Sequence, residues 1–371
     1  MSPSRTARHL VEDPNPILIV DDSAVARQSL RAMVERDPAF RVVTAGDPYE
    51  AVEVMRRTVP AAILLDVDMP RMDGLTFLRK LMRQHPLPVL LCTDHPERGL
   101  TGLEYGALEV IPKPRWDDPA VLEAWGDRLR ESLRLAIASR PATTPAPPTG
   151  PAPFAAAEPK RNTDAVLPRT RYQGRGQAHD RLIVVGASTG GVQAIARLLA
   201  GLRGDLPGIA IVQHMPGGFT AAFAHRLAQD PKILPAVYEA GHGEPIRPGT
   251  VLIAPGDIHG LVRRVGPGFR LDLADGPPVN RHKPSVDVLF RSAAQAAGPR
   301  ALAVLLTGMG DDGAQGMAEL FEEGAWTIAQ DEASSVVFGM PGAAIRRGAA
   351  KQVLPLDRIA AAIASWADGV R

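Results

Sequence analysis

Short apolar runs alternate with longer amphipathic segments through residues 16–139. The runs are Ile17–Val20, Val42–Ala45, Ala62–Leu65, Val89–Leu91 and Glu109–Ile111. Continuous apolar runs of this length predict strands that are buried on both faces. The intervening segments carry apolar residues three or four positions apart and predict helices at residues 23–36, 48–58, 75–84, 100–105 and 120–139. This pattern predicts a doubly wound parallel sheet with helices on both faces.

The same alternation returns after residue 180 in a larger unit. Its predicted strands are Leu182–Val185, Ile209–Gln213, Thr250–Ala254, Ala301–Leu306 and Ala325–Ala329, with helices between them, one of them at residues 284–296. The segments Leu261–Arg264 and Arg270–Leu273 flank a Gly-Pro-Gly turn and predict a hairpin beside the sheet. We therefore predict a second doubly wound, Rossmann-like α/β domain.

Residues 140–180 interrupt the alternation. The segment is rich in proline, alanine and threonine and has almost no large apolar residues. Such a composition favours an extended, semi-rigid linker, because little apolar surface is available for burial. We predict an N-terminal tail at residues 1–15, a first domain at 16–139, a linker at 140–180 and a second domain at 181–371.

Composition narrows the class of protein further. Of 371 residues, 45% are hydrophobic and 22% are charged, as in soluble globular proteins. The net charge of +1 gives no reason to expect a nucleic acid or an anionic membrane as partner. Cys92 is the single cysteine, and no apolar run has the length of a signal peptide or a membrane span. These features predict a cytoplasmic protein without disulfides.

Carboxylates gather where the strands of the first predicted sheet end. Asp21 and Asp22 follow the first strand, Asp66 follows the third, and Asp68 lies two residues further on. The carboxyl ends of parallel strands meet at one edge of a sheet, so these groups should converge. Converging carboxylates repel one another unless a cation lies between them, and an oxygen-only ligand set fits Mg²⁺. The alternative is a set of solvated acids at the starts of loops.

Thr93 follows the fourth strand and Lys113 the fifth, which adds a hydroxyl and an ammonium that could hold a phosphoryl oxygen. With Asp21-Asp22, the segment Leu65–Gly74 and Lys113-Pro114, residues 16–137 resemble the receiver domain of bacterial two-component response regulators. The resemblance implies a flavodoxin-like fold and transfer of a phosphoryl group from a histidine kinase to Asp66.

The same resemblance assigns the remaining groups of this site. It implies that Asp21, Asp22, Asp66 and Asp68 hold Mg²⁺, and that Thr93 and Lys113 contact the phosphoryl oxygens. The chain departs from the receiver pattern at two places. Val110 stands where receivers usually carry an aromatic switch residue, and the segment after Cys92 lacks the usual small residues.

Three strands of the second predicted sheet end in groups that acyl transfer requires. Ser188 lies in the glycine-rich turn 186–191, His214 follows the next strand, and the pair Asp311-Asp312 follows the strand that ends at Leu306. A serine hydroxyl becomes a nucleophile when a neutral imidazole takes its proton and a carboxylate orients that imidazole. Each residue taken singly also fits a structural role, such as helix capping by the serine.

Six segments of the second domain resemble the CheB chemotaxis methylesterase family, over about residues 181–369. They are Gly186–Gly191, Val212–Pro216, Ile253–Asp257, Arg281–Phe290, Leu306–Gly316 and Ala329–Pro341. The resemblance implies hydrolysis of glutamate γ-methyl esters on chemoreceptors with release of methanol, and deamidation of receptor glutamines. It also implies an esterase domain that needs no cofactor.

Carried over by motif, the family pattern makes Ser188 the nucleophile, His214 the general base and Asp312 the orienting acid. The acid is assigned to Asp312 because Asp311 fills the variable position of the family's Gly-Met-Gly-any-Asp-Gly motif. The backbone N–H of Met309 would bind the oxyanion. His259 and His282 are expected either to shape the site or to serve only as structural residues.

A receiver joined to an esterase by a linker suggests control by phosphorylation. We expect the unphosphorylated receiver to shield the Ser188 cleft and phosphorylation at Asp66 to relieve this inhibition. One alternative is a scaffold that binds chemoreceptors without catalysis. Another is a nucleotide-binding module built on the turn 186–191, which lacks both the Rossmann glycine spacing and the P-loop lysine.

Overall fold

The computed structural model describes residues 16–114, 119–138, 161–173 and 181–369. The predicted N-terminal tail (1–15) and the linker positions 140–160 and 174–180 lie outside the described residues. No helix within the described ranges combines the length and the apolar character that crossing a membrane requires. The chain forms two compact units, each of which is built around its own parallel sheet.

Residues 17–138 form ten elements around the first sheet. They are β1 (Ile17–Val20), α1 (Ala24–Val34), β2 (Val42–Ala45), α2 (Pro48–Arg57), β3 (Ala62–Asp66), α3 (Gly74–Gln84), β4 (Val89–Cys92), α4 (Pro96–Glu104), β5 (Glu109–Ile111) and α5 (Pro119–Ala138). The sheet order is β2-β1-β3-β4-β5, and every pairing is parallel. The doubly wound prediction is confirmed.

Side-chain caps fix where two helices of this unit begin. The Ser23 hydroxyl accepts a hydrogen bond from the Ala26 N–H at 3.3 Å, and the Asp73 carboxylate accepts from Leu75 and Thr76, each at 3.1 Å. Helix α4 begins at Pro96, four residues before its predicted start at residue 100. Proline suits the first turn of a helix, because the N–H it lacks would have no partner there.

Ten strands and six α-helices lie within residues 181–369. They are β6 (Leu182–Ala187), α6 (Gly191–Ala200), β7 (Ile209–Gln213), α7 (Phe219–Ala228), β8 (Ala236–Glu239), β9 (Glu244–Ile246), β10 (Thr250–Ile253), β11 (His259–Val265), β12 (Gly268–Ala274), α8 (Val286–Ala297), β13 (Ala301–Leu305), α9 (Ala314–Glu322), β14 (Trp326–Gln330), α10 (Met340–Arg346), β15 (Gln352–Leu354) and α11 (Leu356–Ala367).

The main sheet of this unit is parallel throughout, in the order β15-β14-β13-β6-β7-β10-β8. The chain runs outward from β6 through β7 on one side and from β13 through β14 on the other. Strand order therefore reverses between β6 and β13. In open α/β sheets this reversal opens a crevice at the carboxyl ends of the strands, where ligands bind.

The hairpin predicted beside the main sheet is present as β11 and β12, and together with β9 it forms a separate antiparallel sheet. Strands β8 and β9 were not predicted at all. Strand β8 lies at the edge of the main sheet, alternates between exposed and buried residues and spans four residues, so it carries no continuous apolar run.

Part of the predicted linker packs against the second unit. Residues Thr163–Ala165 form a 3-10 turn that is capped by Asn162, and Thr163 and Leu167 are buried. The extended conformation predicted for the whole segment 140–180 is therefore wrong at the 3-10 turn, residues 163–165. Val166 and Leu167 supply the apolar surface that the average composition of the segment conceals.

Candidate functional site

The predicted acids of the first unit meet at the carboxyl ends of β1 and β3. Carboxylate oxygens of Asp21, Asp22 and Asp66 all lie within 4.8 Å of one another. Asp66 is buried, and its Oδ1 lies 3.0 Å from Nζ of Lys113. The buried Oδ2 of Asp66 has no hydrogen-bond partner among the described residues. Such an oxygen is suited to a ligand.

The other two predicted groups lie beside Asp66. The Asp68 N–H donates to Oδ1 of Asp66 at 3.3 Å, and the buried Thr93 hydroxyl donates to Oδ2 of Asp68 at 3.5 Å. Glycine is required at position 74, because a Cβ there would lie 2.1 Å from the Asp66 carbonyl oxygen. The structure thus brings all six residues of the predicted phosphorylation site together.

Charge makes this cluster a good fit for Mg²⁺. Burial raises the pKa of Asp21, and the neighbouring charges of Asp66 and Asp22 raise it further, against the opposing Ser23 N–H and Lys113. Burial alone would lower the pKa of Lys113, but the hydrogen bond and charge of Asp66 outweigh it and raise that pKa. A divalent cation with oxygen ligands would relieve the repulsion among these carboxylates.

Asp21→Asn should stabilise the metal-free first unit while weakening Mg²⁺ binding. Because the folded-state pKa of Asp21 is raised, the ionised carboxylate costs folding free energy, and this loss grows as pH rises through that pKa. Calorimetric scans at neutral pH in EDTA and in Mg²⁺ would measure both effects. Asp22→Asn is the matched control: Asp22 is exposed and its charge is the smallest contribution to the raised pKa of Asp21, so its stabilising effect in EDTA should be the smaller of the two. Equal shifts in EDTA for the two variants would contradict the argument.

In the second unit, the predicted triad residues follow three neighbouring strands. Ser188 follows β6, His214 follows β7 and Asp312 lies beyond β13, around the crevice where strand order reverses. The turn after Ser188 depends on glycine. Gly190 has a φ of 78°, and a Cβ at Gly191 would lie 2.0 Å from the Gln213 side-chain oxygen.

His214 is held at both its backbone and its ring. Its N–H donates to the Ala187 carbonyl at 3.1 Å, and its Nε2 lies 2.8 Å from Oδ2 of Asp312. The ring stacks on that of His282, with centroids 3.8 Å apart. Its buried Nδ1 has no hydrogen-bond partner among the described residues. With Nε2 donating to a carboxylate, Nδ1 is the nitrogen that remains free to accept a proton.

Asp312 is almost completely buried and receives hydrogen bonds from several directions. Its donors besides His214 are the Val286 N–H at 2.7 Å, the Ser285 hydroxyl at 2.8 Å, the Asn280 side-chain amide at 3.1 Å and the Asp287 N–H at 3.2 Å. Burial would raise the pKa of Asp312. The hydrogen bond and charge of His214, with the charge of His282 and the Asn280 amide, outweigh burial and hold the pKa well below its usual range.

The two aspartates that follow β13 are not equivalent. Asp312 is 1% exposed and contacts His214, whereas Asp311 is partly exposed and does not belong to this set of contacts. The spacing of residues in the sequence alone did not decide whether Asp311 or Asp312 is the orienting acid. The geometry favours Asp312, as the family motif predicts.

The two further histidines differ in their contacts. His259 is buried, accepts the Ser285 N–H at Nδ1 over 3.2 Å and donates from Nε2 to the Pro277 carbonyl at 3.0 Å. Burial lowers the pKa of His259, which favours the neutral ring that these two bonds require. His259 therefore supports Ser285, whereas His282 lies directly on the ring of His214.

Sequence reasoning missed two side chains that hold the site together. The Gln213 amide donates to the carbonyls of Ser188 at 2.9 Å and His214 at 3.2 Å, and so joins the ends of β6 and β7. The Asn280 amide donates to Asp312. Gln213 lies within a motif that signalled the family, but Asn280 immediately precedes one and carried no signal of its own.

Met309, the predicted oxyanion donor, directly follows a glycine that lies close to Ser188. It is buried, and it follows Gly308, where a Cβ would lie 2.9 Å from the Ser188 Cβ. The Met309 N–H donates no hydrogen bond to any of the described residues. Glycine at position 308 therefore lets the backbone pass close to Ser188 just before Met309, and the role of the Met309 N–H as oxyanion donor stays a prediction.

These observations define a class of protein, a response regulator with an α/β output domain. The response regulator receiver domain family matches residues 17–124, and the CheB methylesterase family matches residues 183–363. The chain belongs to the CheB methylesterase family, as the sequence motifs predict.

Relatives resemble the chain over most of its length. A protein of Anaeromyxobacter dehalogenans (strain 2CP-C), named protein-glutamate methylesterase/protein-glutamine glutaminase 5, is 54% identical over 351 residues, which cover 93% of this chain and 95% of that protein. A protein from Oleidesulfovibrio alaskensis, named protein-glutamate methylesterase/protein-glutamine glutaminase 2, is 48% identical over 370 residues, which cover 96% of this chain and 98% of that protein. The crystal structure of the Thermotoga maritima CheB methylesterase catalytic domain is 36% identical, with a TM-score of 0.49, and covers 50% of this chain and 98% of its own.

Proposed function

We propose that this protein is a phosphorylation-activated protein-glutamate methylesterase that also deamidates protein glutamines. The observation that carries the proposal is the His214–Asp312 pair, 2.8 Å apart, at the sheet edge where Ser188 lies. The two activities are those in the names of relatives up to 54% identical. The substrates we propose are glutamate methyl esters and glutamines of chemoreceptors, and the phosphoryl donor is a histidine kinase of the same cytoplasmic pathway.

The first half of the reaction forms an acyl-enzyme. The Ser188 hydroxyl attacks the ester carbonyl carbon while Nδ1 of His214 takes its proton. Asp312 accepts the hydrogen bond from Nε2 and stabilises the imidazolium. The N–H of Met309 binds the oxyanion of the tetrahedral intermediate. When the intermediate collapses, the carbon–oxygen bond to the methoxy group breaks, and His214 returns its proton so that methanol leaves.

The second half releases the product. Water attacks the carbonyl carbon of the glutamyl ester on Ser188 while His214 accepts a proton from it. The bond between that carbon and the Ser188 Oγ then breaks, His214 returns the proton to Oγ, and the side chain leaves as a glutamate carboxylate with release of a proton to solvent. A glutamine amide follows the same course, except that ammonia is the first leaving group. Because both substrates pass through one acyl-enzyme, one site performs methyl-ester hydrolysis and deamidation.

The first unit supplies the regulatory chemistry. Asp66 accepts the phosphoryl group at its buried, unpartnered Oδ2, and Lys113 and Thr93 contact the phosphoryl oxygens. Mg²⁺ bound by Asp21, Asp22, Asp66 and Asp68 would neutralise negative charge on these carboxylates and on the incoming phosphoryl group. Phosphorylation then relieves the restraint that the receiver imposes on the methylesterase. The scaffold alternative is not favoured, because the relatives are named as enzymes.

Methanol release from a methylated chemoreceptor tests this function directly. The full chain should release methanol, and Mg²⁺ with a small-molecule phosphodonor should raise the rate. In Asp66→Asn the phosphodonor should have no effect, while the basal rate stays at the unphosphorylated level. Absence of methanol release from the folded wild-type protein would refute the esterase proposal. An equal response of Asp66→Asn and wild type to the phosphodonor would refute control through Asp66.

A further inference from the structure

We propose that residues 161–168, here named the strap, hold the carboxylate of Asp312 in position by fixing the backbone of Asn280. The strap lies before the range 183–363 that matches the methylesterase family, in the segment whose composition predicts a linker. The inference rests on the proposed function in that it takes Asp312 as the orienting acid. It makes the strap and Asn280 positioning elements of the reaction.

The strap meets the site through a main-chain hydrogen bond. The Asn280 N–H donates to the Arg161 carbonyl at 3.0 Å. Asn280 has a φ of 49° and Arg281 a φ of 71°, values in the left-handed region that few residues other than glycine adopt. Such a conformation persists when the surrounding structure fixes it. The Arg161 carbonyl is one of the groups that do so, and it thereby sets the direction of the Asn280 side chain.

The Asn280 side chain in turn contacts two buried carboxylates. Its amide nitrogen donates to Oδ1 of Asp312 at 3.1 Å and to Oδ2 of Asp287. An amide group carries two hydrogens, so both bonds can be made at once. Burial and the charge of Asp312 raise the pKa of Asp287, whereas the hydrogen bond and charge of His214 hold the pKa of Asp312 low. The ionised form is thus disfavoured at Asp287 and favoured at Asp312, which faces His214.

A buried guanidinium anchors the strap to the second unit. The Nη1 of Arg291 donates to Oδ1 of Asp164 at 2.5 Å and to the Leu167 carbonyl at 2.9 Å. The other edge of Arg291 binds both carboxylate oxygens of Glu319, at 2.7 and 2.8 Å. The planar guanidinium thus joins the strap to α8 and α9 with a fixed geometry.

Apolar packing joins the strap to the Asn280 turn itself. Leu167 is 6% exposed and belongs to a small core cluster with Leu261, Val279 and Val288. Val279 is the residue before Asn280, and it closes the turn by two backbone hydrogen bonds with His282, at 2.9 and 3.0 Å. The strap and the turn that carries Asn280 therefore share one core, and loosening the first should displace the second.

Asp164→Ala and Leu167→Ala in the full chain test the proposal. Each should lower kcat for methyl-ester hydrolysis between about 10- and 100-fold, because small misplacements of catalytic groups have effects of that size. KM should not change, because the proposed effect of the strap is on the orientation of Asp312 and His214. The low-field proton NMR signal of the His214 N–H bonded to Asp312 should shift or broaden in both variants.

Tyr172→Phe is the matched control. Tyr172 lies in the same packed segment but outside the strap, and its hydroxyl accepts a hydrogen bond from Arg300 at 2.8 Å. The control should keep the kcat and the NMR signal of the wild type. A kcat and an NMR signal at wild-type values in folded Asp164→Ala would overturn the proposal.

Asp164→Ala keeps the test decisive if Leu167→Ala does not fold, because Asp164 is half exposed and its removal leaves no cavity. The NMR signal needs no substrate and reports only the bond between His214 and Asp312. It therefore tests the strap even if the protein released no methanol, an outcome that would refute the proposed function alone.

Discussion

Ser188→Ala should abolish methanol release while leaving the fold intact. Loss of a nucleophilic serine from a comparable triad lowers turnover on the order of 10⁶-fold. Ser188 is only partly buried, and its side chain holds no other element in place, so the variant should unfold at the temperature of the wild type. Methanol release from methylated receptor and a thermal melt, run on the same preparation, measure the two expectations.

A serine-directed fluorophosphonate provides the control for Ser188→Ala. It should label the wild-type protein and Asp66→Asn, in which the esterase site is unchanged, but not Ser188→Ala. Hydrolysis by Ser188→Ala at the wild-type rate would mean that another group attacks the ester, and the triad proposal would then fail.

Asp312→Asn should lower kcat by about 10⁴-fold, the effect of the corresponding change in a serine protease. An amide in place of the carboxylate cannot stabilise the His214 imidazolium, and it favours the wrong tautomer of the ring. Asp311→Asn is the matched control, since it makes the same chemical change one residue away, at a position without the His214 contact. Steady-state rates at saturating ester measure both variants.

The two variants also separate chemistry from folding. Asp312 accepts four hydrogen bonds besides that of His214, so Asp312→Asn should also lower the melting temperature, and rates must be taken well below it. Equal kcat values for the two folded variants would show that Asp312 is not the orienting acid.

Much of this fold could be predicted from hydrophobic patterning alone. Strands such as Ile17–Val20 and Ile209–Gln213 agree with the prediction at both ends, because each contains a run of four apolar residues that ends at a polar residue. Strand β6 runs two residues further than predicted, through Gly186 and Ala187. Small residues gave no strand signal there, but the pairing of β6 with β7 and β13 continues through Gly186.

The parts of the site that could be predicted are those with a chemical signature at a strand end. Asp66 directly follows the apolar run Ala62–Leu65, and His214 directly follows the predicted strand Ile209–Gln213, so topology alone places both at the carboxyl ends of strands. The role of Asn280 depends on a positive φ, on the Arg161 carbonyl and on two distant aspartates. Neither this backbone conformation nor these contacts produce a periodic pattern of residues in the sequence.

Asp312 has a second role, because it lies in space beside the first turn of α8. The main-chain N–H groups of Val286 and Asp287, in the first turn of that helix, both donate to it. Helix α8 is buried over almost its whole length, so its first turn belongs to the most cooperative part of the unit. Local unfolding should therefore not release the Asp312 carboxylate from this turn. Heat should therefore inactivate this enzyme only when the whole methylesterase domain melts, and not through earlier fraying of its active site.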